Sequence, residues 1–168
     1  MRSYLYIGTL VLAVAIFQNT GPASCAESIV HSRSKRSLVQ FGLMIKCTTG
    51  RSAFDYNGYG CWCGKGGSGR AVDATDRCCL IHDRCYDAVI RDRVCPWGIN
   101  VYTTVYFRKG CNVCNPPGKI FGKTNNPCQY RICQCDSAAV RCFKRSYYNN
   151  RYKDYNKNKY CRKNRNFR

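Results

Sequence analysis

The sequence predicts a mainly α, disulfide-rich domain, and three observations predict it. Fifteen cysteines in 168 residues is several times ordinary usage. In so short a chain it points to an oxidising compartment and a disulfide frame, and argues against a reduced cytosolic enzyme. Aliphatic content is thin: from Ser37 onward, Val, Ile, Leu and Phe account for 23 of 132 residues. With high net charge, that share usually signals disorder, so cystines must supply what the core lacks, at about 2–4 kcal/mol each through restriction of the unfolded chain. Finally, the regular local signals are mostly helical, with a single strand-like run. The net charge of +19 says little about fold and implies anionic partners.

The first segment is expected to be removed. Met1-Arg2-Ser3 precedes a mostly apolar run, Tyr4 to Phe17, and a small-residue exit through Ala26, the form of a secretory signal over 1–26. The run falls short of the ~20 residues a spanning helix needs, so an extracellular protein is expected. Residues 27–36 end in Arg33-Ser34-Lys35-Arg36 and read as a propeptide closed by a dibasic processing site. The domain proper is then 37–168, with an even count of 14 cysteines and a net charge of +16.

Within that domain, Leu38, Phe41, Met44 and Ile45 fall on one face of a short amphipathic helix over 37–46. Cys47 to Arg70, with the run Gly64-Lys65-Gly66-Gly67-Ser68-Gly69, reads as loop. Asp73 or Thr75 can cap a helix reaching about Val94, where Cys95-Pro96 stops it. Asn100 to Arg108 has the β-branched and aromatic content of a strand, one arm of a small hairpin. Cys111 to Pro127, with three prolines, reads as irregular loop, and a second helix is expected over Cys128 to about Arg145. The tail after Phe143 carries ten Lys and Arg against one Asp.

Three stretches carry chemistry together: Tyr59-Gly60-Cys61-Trp62-Cys63-Gly64-Lys65-Gly66-Gly67, Cys78-Cys79-Leu80-Ile81-His82-Asp83-Arg84-Cys85-Tyr86, and Cys133-Gln134-Cys135-Asp136. On these motifs the chain resembles the secreted phospholipase A2 family of the pancreatic and elapid-venom type, almost end to end from Gln40-Phe41 to Cys161. The resemblance implies an N-terminal helix, a calcium-binding loop, two long antiparallel helices cross-linked by disulfides and a small β-hairpin. It suggests the pairings Cys63–Cys79, Cys78–Cys142, Cys85–Cys135, Cys61–Cys161 and Cys95–Cys128, with Cys47–Cys111 and Cys114–Cys133 completing the set. Facing residues of antiparallel helices have a constant index sum, and Cys78–Cys142 and Cys85–Cys135 share one, two turns apart. On that register Asp136 lies about 3 Å along the axis from the position facing His82.

The resemblance also implies a site. Calcium prefers six to eight oxygens, backbone carbonyls included; by resemblance the ligands are the carbonyls of Trp62, Gly64 and Gly66 and the carboxylate of Asp83. Asp83 sits four residues after Cys79, on the same helix face, so a Cys63–Cys79 bridge would pin the loop over it. His82 is the one histidine of 37–168, and an imidazole, with an ordinary pKa near 6.5, suits proton transfer near neutrality. In the family's mechanism it draws a proton from the water that attacks the sn-2 ester of a phospholipid. Asp136 holds its other ring nitrogen, Tyr86 and Tyr106 hydrogen-bond that aspartate, and the Gly64 amide assists the oxyanion. Asp73, Asp76 and Asp87 read instead as capping or surface groups.

Leu38, Phe41 and Ile45 would line the entry to this site, with Leu43 and Trp97 as rim contacts at a phospholipid membrane surface. The basic charge favours anionic lipid, at about 1 kcal/mol per well-placed Lys or Arg, and suits heparin-like polyanions as well. No nucleic-acid module accompanies it, so no specific nucleic acid is expected. A competing reading is a non-catalytic, cationic membrane-disrupting or polyanion-binding protein on the same scaffold. Loss of the calcium-binding aspartate would be its signature, and Asp83 is present. Departures from the family pattern are Trp62 where tyrosine is usual, Val140 in place of an alanine, and a longer segment with Pro116-Pro117 between Cys111 and Cys128.

Overall fold

The computed structural model describes residues 38–118 and 122–161; the expected signal and propeptide lie outside the described residues. Two long helices form the frame. Helix α3, Ala74–Arg91, starts at Asp73, whose carboxylate accepts from the Asp76 amide at 2.8 Å. Its inward positions, among them Thr75, Asp76, Cys78, Cys79, Tyr86 and Val89, recur at helical spacing, while Arg77, Ile81, Arg84 and Asp87 face out. Helix α4, Pro127–Arg145, opens on a capping box of Asn126 and Gln129 with proline in the first turn.

The bridges Cys78–Cys142 and Cys85–Cys135 clamp α3 and α4 antiparallel, and all seven bridges have the partners suggested above. The core between them holds Met44, Ile45, Tyr56, Tyr59, Val89, Tyr106, Ile132, Val140 and Phe143, interleaved with half-cystines. Val140 is fully buried there, a packing position.

Helix α1 covers 38–49, three residues beyond the expected end. It stops where the Gly50 amide reaches back to the Lys46 carbonyl at 3.0 Å with Gly50 at φ 78°, a left-handed C-terminal cap. The stretch read as continuous loop after it contains a four-residue helix, α2 (Ala53–Tyr56), capped by Ser52. Helix α3 ends earlier than expected. Asp92 caps it and Arg93 turns left-handed at φ 50°, before the Cys95–Cys128 bridge.

The expected strand over Asn100–Arg108 is the main correction. Residues 101–103 are a turn held by Asn100, and the only described ladder pairs β1 (Arg108–Lys109) with β2 (Val113–Cys114), a segment read as irregular loop. Side-chain amides do what a partner strand would do. Gln40 exchanges two hydrogen bonds with the Tyr106 backbone, at 2.9 and 3.3 Å. Asn125 does the same for Phe107, at 2.6 and 2.7 Å, and Gln129 caps the Val105 carbonyl at 2.8 Å. Every such group needs a partner, and the sequence supplies them without a sheet. Tyr106 is thereby fixed in the core.

After α4 the chain returns over the glycine-rich loop as a short 3-10 turn, Asn150–Tyr152, and α5, Lys157–Tyr160. No helix among the described residues is long and apolar enough to cross a membrane.

Candidate active site

Asp136 on α4 is completely buried and accepts three hydrogen bonds. His82 on α3 meets its Oδ1 through Nε2 at 2.7 Å, Tyr86 donates to Oδ1 at 2.8 Å, and Tyr106 donates to Oδ2 at 2.5 Å. The first two contacts follow from the α3–α4 register; the third needs the side-chain-anchored segment before β1. Burial, followed by the negative charge of Asp136, drives both phenols far above the ordinary tyrosine range, so they remain donors. Imidazole geometry is fixed further by Phe41, stacked on His82 at 4.6 Å and 11°, and by Tyr86 edge-on at 4.7 Å. Nδ1 of His82 has no hydrogen-bond partner among the described residues, and the ring is 15% exposed.

That ring opens onto a cavity of about 350 Å³. Leu38, Phe41 and Ile45 line it, as expected, joined by Ala53, Phe54 and Tyr56, which sequence reasoning did not assign; Trp62, Gly64 and Asp83 line it as well. Leu43 lies beside it in an adjoining apolar groove with Val39 and Phe54. Trp97 does not reach the cavity. It projects fully exposed beside a separate hollow formed by Val89, Ile90 and Pro96.

The loop preceding α3 shows an ordered alternation. Carbonyls of odd-numbered residues are taken by protein donors: Cys61 by the Ser68 amide at 3.2 Å, Cys63 by the Gly58 amide at 3.2 Å and by Lys157 Nζ at 2.9 Å, Lys65 by Lys157 Nζ at 3.3 Å. The carbonyls of Trp62, Gly64 and Gly66 accept none from the described residues. Cys63–Cys79 ties this stretch to α3 one turn before Asp83. Asp83 likewise accepts no hydrogen bond from the described residues, and burial raises its carboxyl above the usual carboxylate range, with the neighbouring His82 opposing the rise. Three carbonyls without donors, on a loop tied to the helix that carries a carboxylate with no salt-bridge partner among the described residues, are the donor chemistry of a hard divalent cation. The residues therefore fit calcium, even though no cluster of three His, Cys, Asp or Glu exists among the described residues; the ligands would be mainly backbone. At Gly64, with φ 87°, a Cβ would lie 2.5 Å from Asn57 Oδ1, so glycine is required there.

Asp76 is the contributor that sequence reasoning missed: it is no surface group. Fully buried, it accepts from the amides of Cys61 at 2.9 Å, Trp62 at 2.7 Å and Val72 at 2.9 Å, and it occupies the space beside Gly60 that any Cβ would need. It fixes the loop from behind. Asp73 caps α3 and also accepts from Tyr59 at 2.5 Å, while Asp87 is exposed, as expected. Asp76→Ala leaves three amides without their acceptor, one of them buried and two part-buried, and a buried orphan costs about 1–3 kcal/mol. The expected result is a loss of at least about 1 kcal/mol in denaturant unfolding with the disulfides intact; no measurable loss would show that water replaces the carboxylate.

Residues 38–153 match the family model described as Phospholipase A2. The chain is 43% identical over 125 residues to the phospholipase A2 A2-actitoxin-Cgg2a of Condylactis gigantea, covering 71% of this chain and 96% of that protein. It is 38% identical over 163 residues to the phospholipase A2 A2-hormotoxin-Apt1a of Adamsia palliata, covering 94% and 99%. A basic phospholipase A2 of Micrurus corallinus is 41% identical over 127 residues, covering 75% and 82%.

Proposed function

Because the chain belongs to the phospholipase A2 family, we propose that it is a secreted, calcium-dependent phospholipase A2 that hydrolyses the sn-2 acyl ester of glycerophospholipids at membrane surfaces. The single observation that carries this reading is an aspartate-anchored histidine opening onto an apolar cavity beside a row of donor-free carbonyls.

His82 presents Nε2–H to Asp136, which leaves Nδ1 as the basic lone pair facing the cavity. It takes a proton from the attacking water there. The buried carboxylate, held by two phenols that cannot ionise near neutrality, stabilises the imidazolium that results. Trp62, Gly64 and Gly66 through their carbonyls, and Asp83 through its carboxylate, would hold Ca²⁺. When bound, the ion supplies positive charge for the substrate phosphate and the developing oxyanion. The Gly64 amide makes no hydrogen bond within the described residues and is free to donate to that oxyanion. Leu38, Phe41 and Ile45 admit the acyl chains, and the exposed neighbours Val39, Leu43 and Phe54 extend the apolar surface around the mouth. The basic charge draws this surface to anionic lipid. The segments 1–26 and 27–36 are read as a secretory signal and a propeptide.

The test is fatty-acid release from vesicles of mixed zwitterionic and anionic phospholipid. Release is expected with calcium and should fall at least about 100-fold in EDTA. Undiminished release in EDTA would overturn the calcium-dependent reading.

A further inference from the structure

The alternation in the glycine loop has a specific agent. Lys157, at the start of α5 and half-buried, sends its ammonium to the carbonyls of Cys63 and Lys65, at 2.9 and 3.3 Å. Those two carbonyls are interleaved with the three that are free of donors. Holding 63 and 65 on one cation fixes the peptide units that alternate with those bearing the carbonyls of Trp62, Gly64 and Gly66, and so limits how those three can turn. The same short segment is fastened to the loop twice more, by the Cys61–Cys161 bridge and by Ser68 Oγ donating to the Cys161 carbonyl at 2.8 Å.

We infer that Lys157 is a positioning residue for the metal loop: its ammonium sorts the loop carbonyls into two sets and so preorganises the calcium ligands. The inference rests on the reading that this loop holds Ca²⁺. Two effects of Lys157 oppose each other. Its charge lies within the fields of Asp76 and Asp83 and repels a second cation; its hydrogen bonds fix the ligand geometry. The repulsion is screened, because the side chain is only partly withdrawn from solvent. The hydrogen bonds are charge-assisted and hold the peptide units that alternate with the ligand-bearing ones. The geometric effect therefore dominates, and removing the ammonium weakens calcium binding.

Calorimetric titration of the full protein with calcium chloride tests this, using the parent, Lys157→Gln, Lys157→Arg and Asp83→Asn, with unfolding temperatures recorded in EDTA. Lys157→Gln is expected to raise the calcium Kd about tenfold, the scale on which residues that orient metal ligands act. Lys157→Arg, which keeps the charge and several donors, is expected to return it to within about threefold of the parent. Parent-like or tighter binding by Lys157→Gln, with calcium taken up by the parent, overturns the inference alone. If Lys157→Gln is also unfolded in EDTA, the arginine variant decides: a folded Lys157→Arg that binds calcium more than about tenfold more weakly than the parent overturns it as well. No calcium uptake by the parent, matching Asp83→Asn, overturns the calcium reading and the inference with it.

Discussion

Replacing His82 by Gln is expected to cut fatty-acid release from phospholipid vesicles by about 10²–10⁴-fold, with calcium affinity and unfolding temperature close to those of the parent. Glutamine is the sharpest substitution because its amide can still donate to Asp136 Oδ1, so the three-donor arrangement around that buried carboxylate survives. What is lost is the basic nitrogen that faces the cavity. The measurement is the initial rate of release at saturating calcium, alongside a calcium titration of the same preparation. Hydrolysis within tenfold of the parent, from a protein that binds calcium normally, would remove His82 from the chemistry.

The second large effect concerns Asp83, and it has two signs. Asp83→Asn should abolish measurable calcium binding, and with it hydrolysis, because a neutral amide oxygen replaces the single carboxylate of the proposed ligand set. In EDTA the same substitution should raise the unfolding temperature. Burial holds the Asp83 carboxyl above its ordinary value, so the folded state disfavours the ionised form. The penalty is absent below the ordinary carboxylate pKa of about 3.9 and fully present once the pH exceeds the raised folded value. Near neutrality the parent carries it and Asn does not. Calcium reverses the order: excess ligand stabilises the parent by mass action and leaves Asp83→Asn unmoved. Parallel thermal scans in EDTA and in millimolar calcium, repeated at acidic and neutral pH, give the comparison. Equal calcium-induced shifts for both proteins would contradict the ligand assignment.

What the sequence made legible, and what it did not, divides by the range of the interactions responsible. The start of α4 lies one residue before the expected Cys128, where a capping asparagine and a proline, both acting within one turn, set it. The start of α3 was readable for a similar reason, since Asp73 reaches only to Asp76. The strand expected over Asn100–Arg108 failed because β-rich composition says that a backbone wants partners without saying which. Here the partners are Gln40, 66 residues away, and Asn125. The four-residue α2 is too short to leave a periodic signal, although Ser52 marks its cap.

The candidate site divides the same way. His82, Asp83 and Tyr86 are neighbours along one helix, and motif spacing names them; Asp136 is brought 2.7 Å from His82 by the clamped helix pair. Tyr106 lies beyond a segment of variable form, and the side-chain amides that hold it are what bring it to Asp136. Asp76 and Lys157 escaped notice because neither burial nor a long-range hydrogen bond has a local signature. One resembled an ordinary cap and the other a solvated charge in a basic tail. Both act on the same loop, from opposite ends of the sequence.

The bridge between Cys61 and Cys161 spans 100 positions, and residues 152–161 also meet the stretch from Gly58 to Ser68 through Gly60, Tyr155 and Ser68. A chain made N-terminus first cannot close that span until residue 161 has been added. A product that stops short of Cys161 would lack the bridge that fastens the proposed ion-binding loop. On the calcium reading, competence therefore requires the chain at least as far as Cys161.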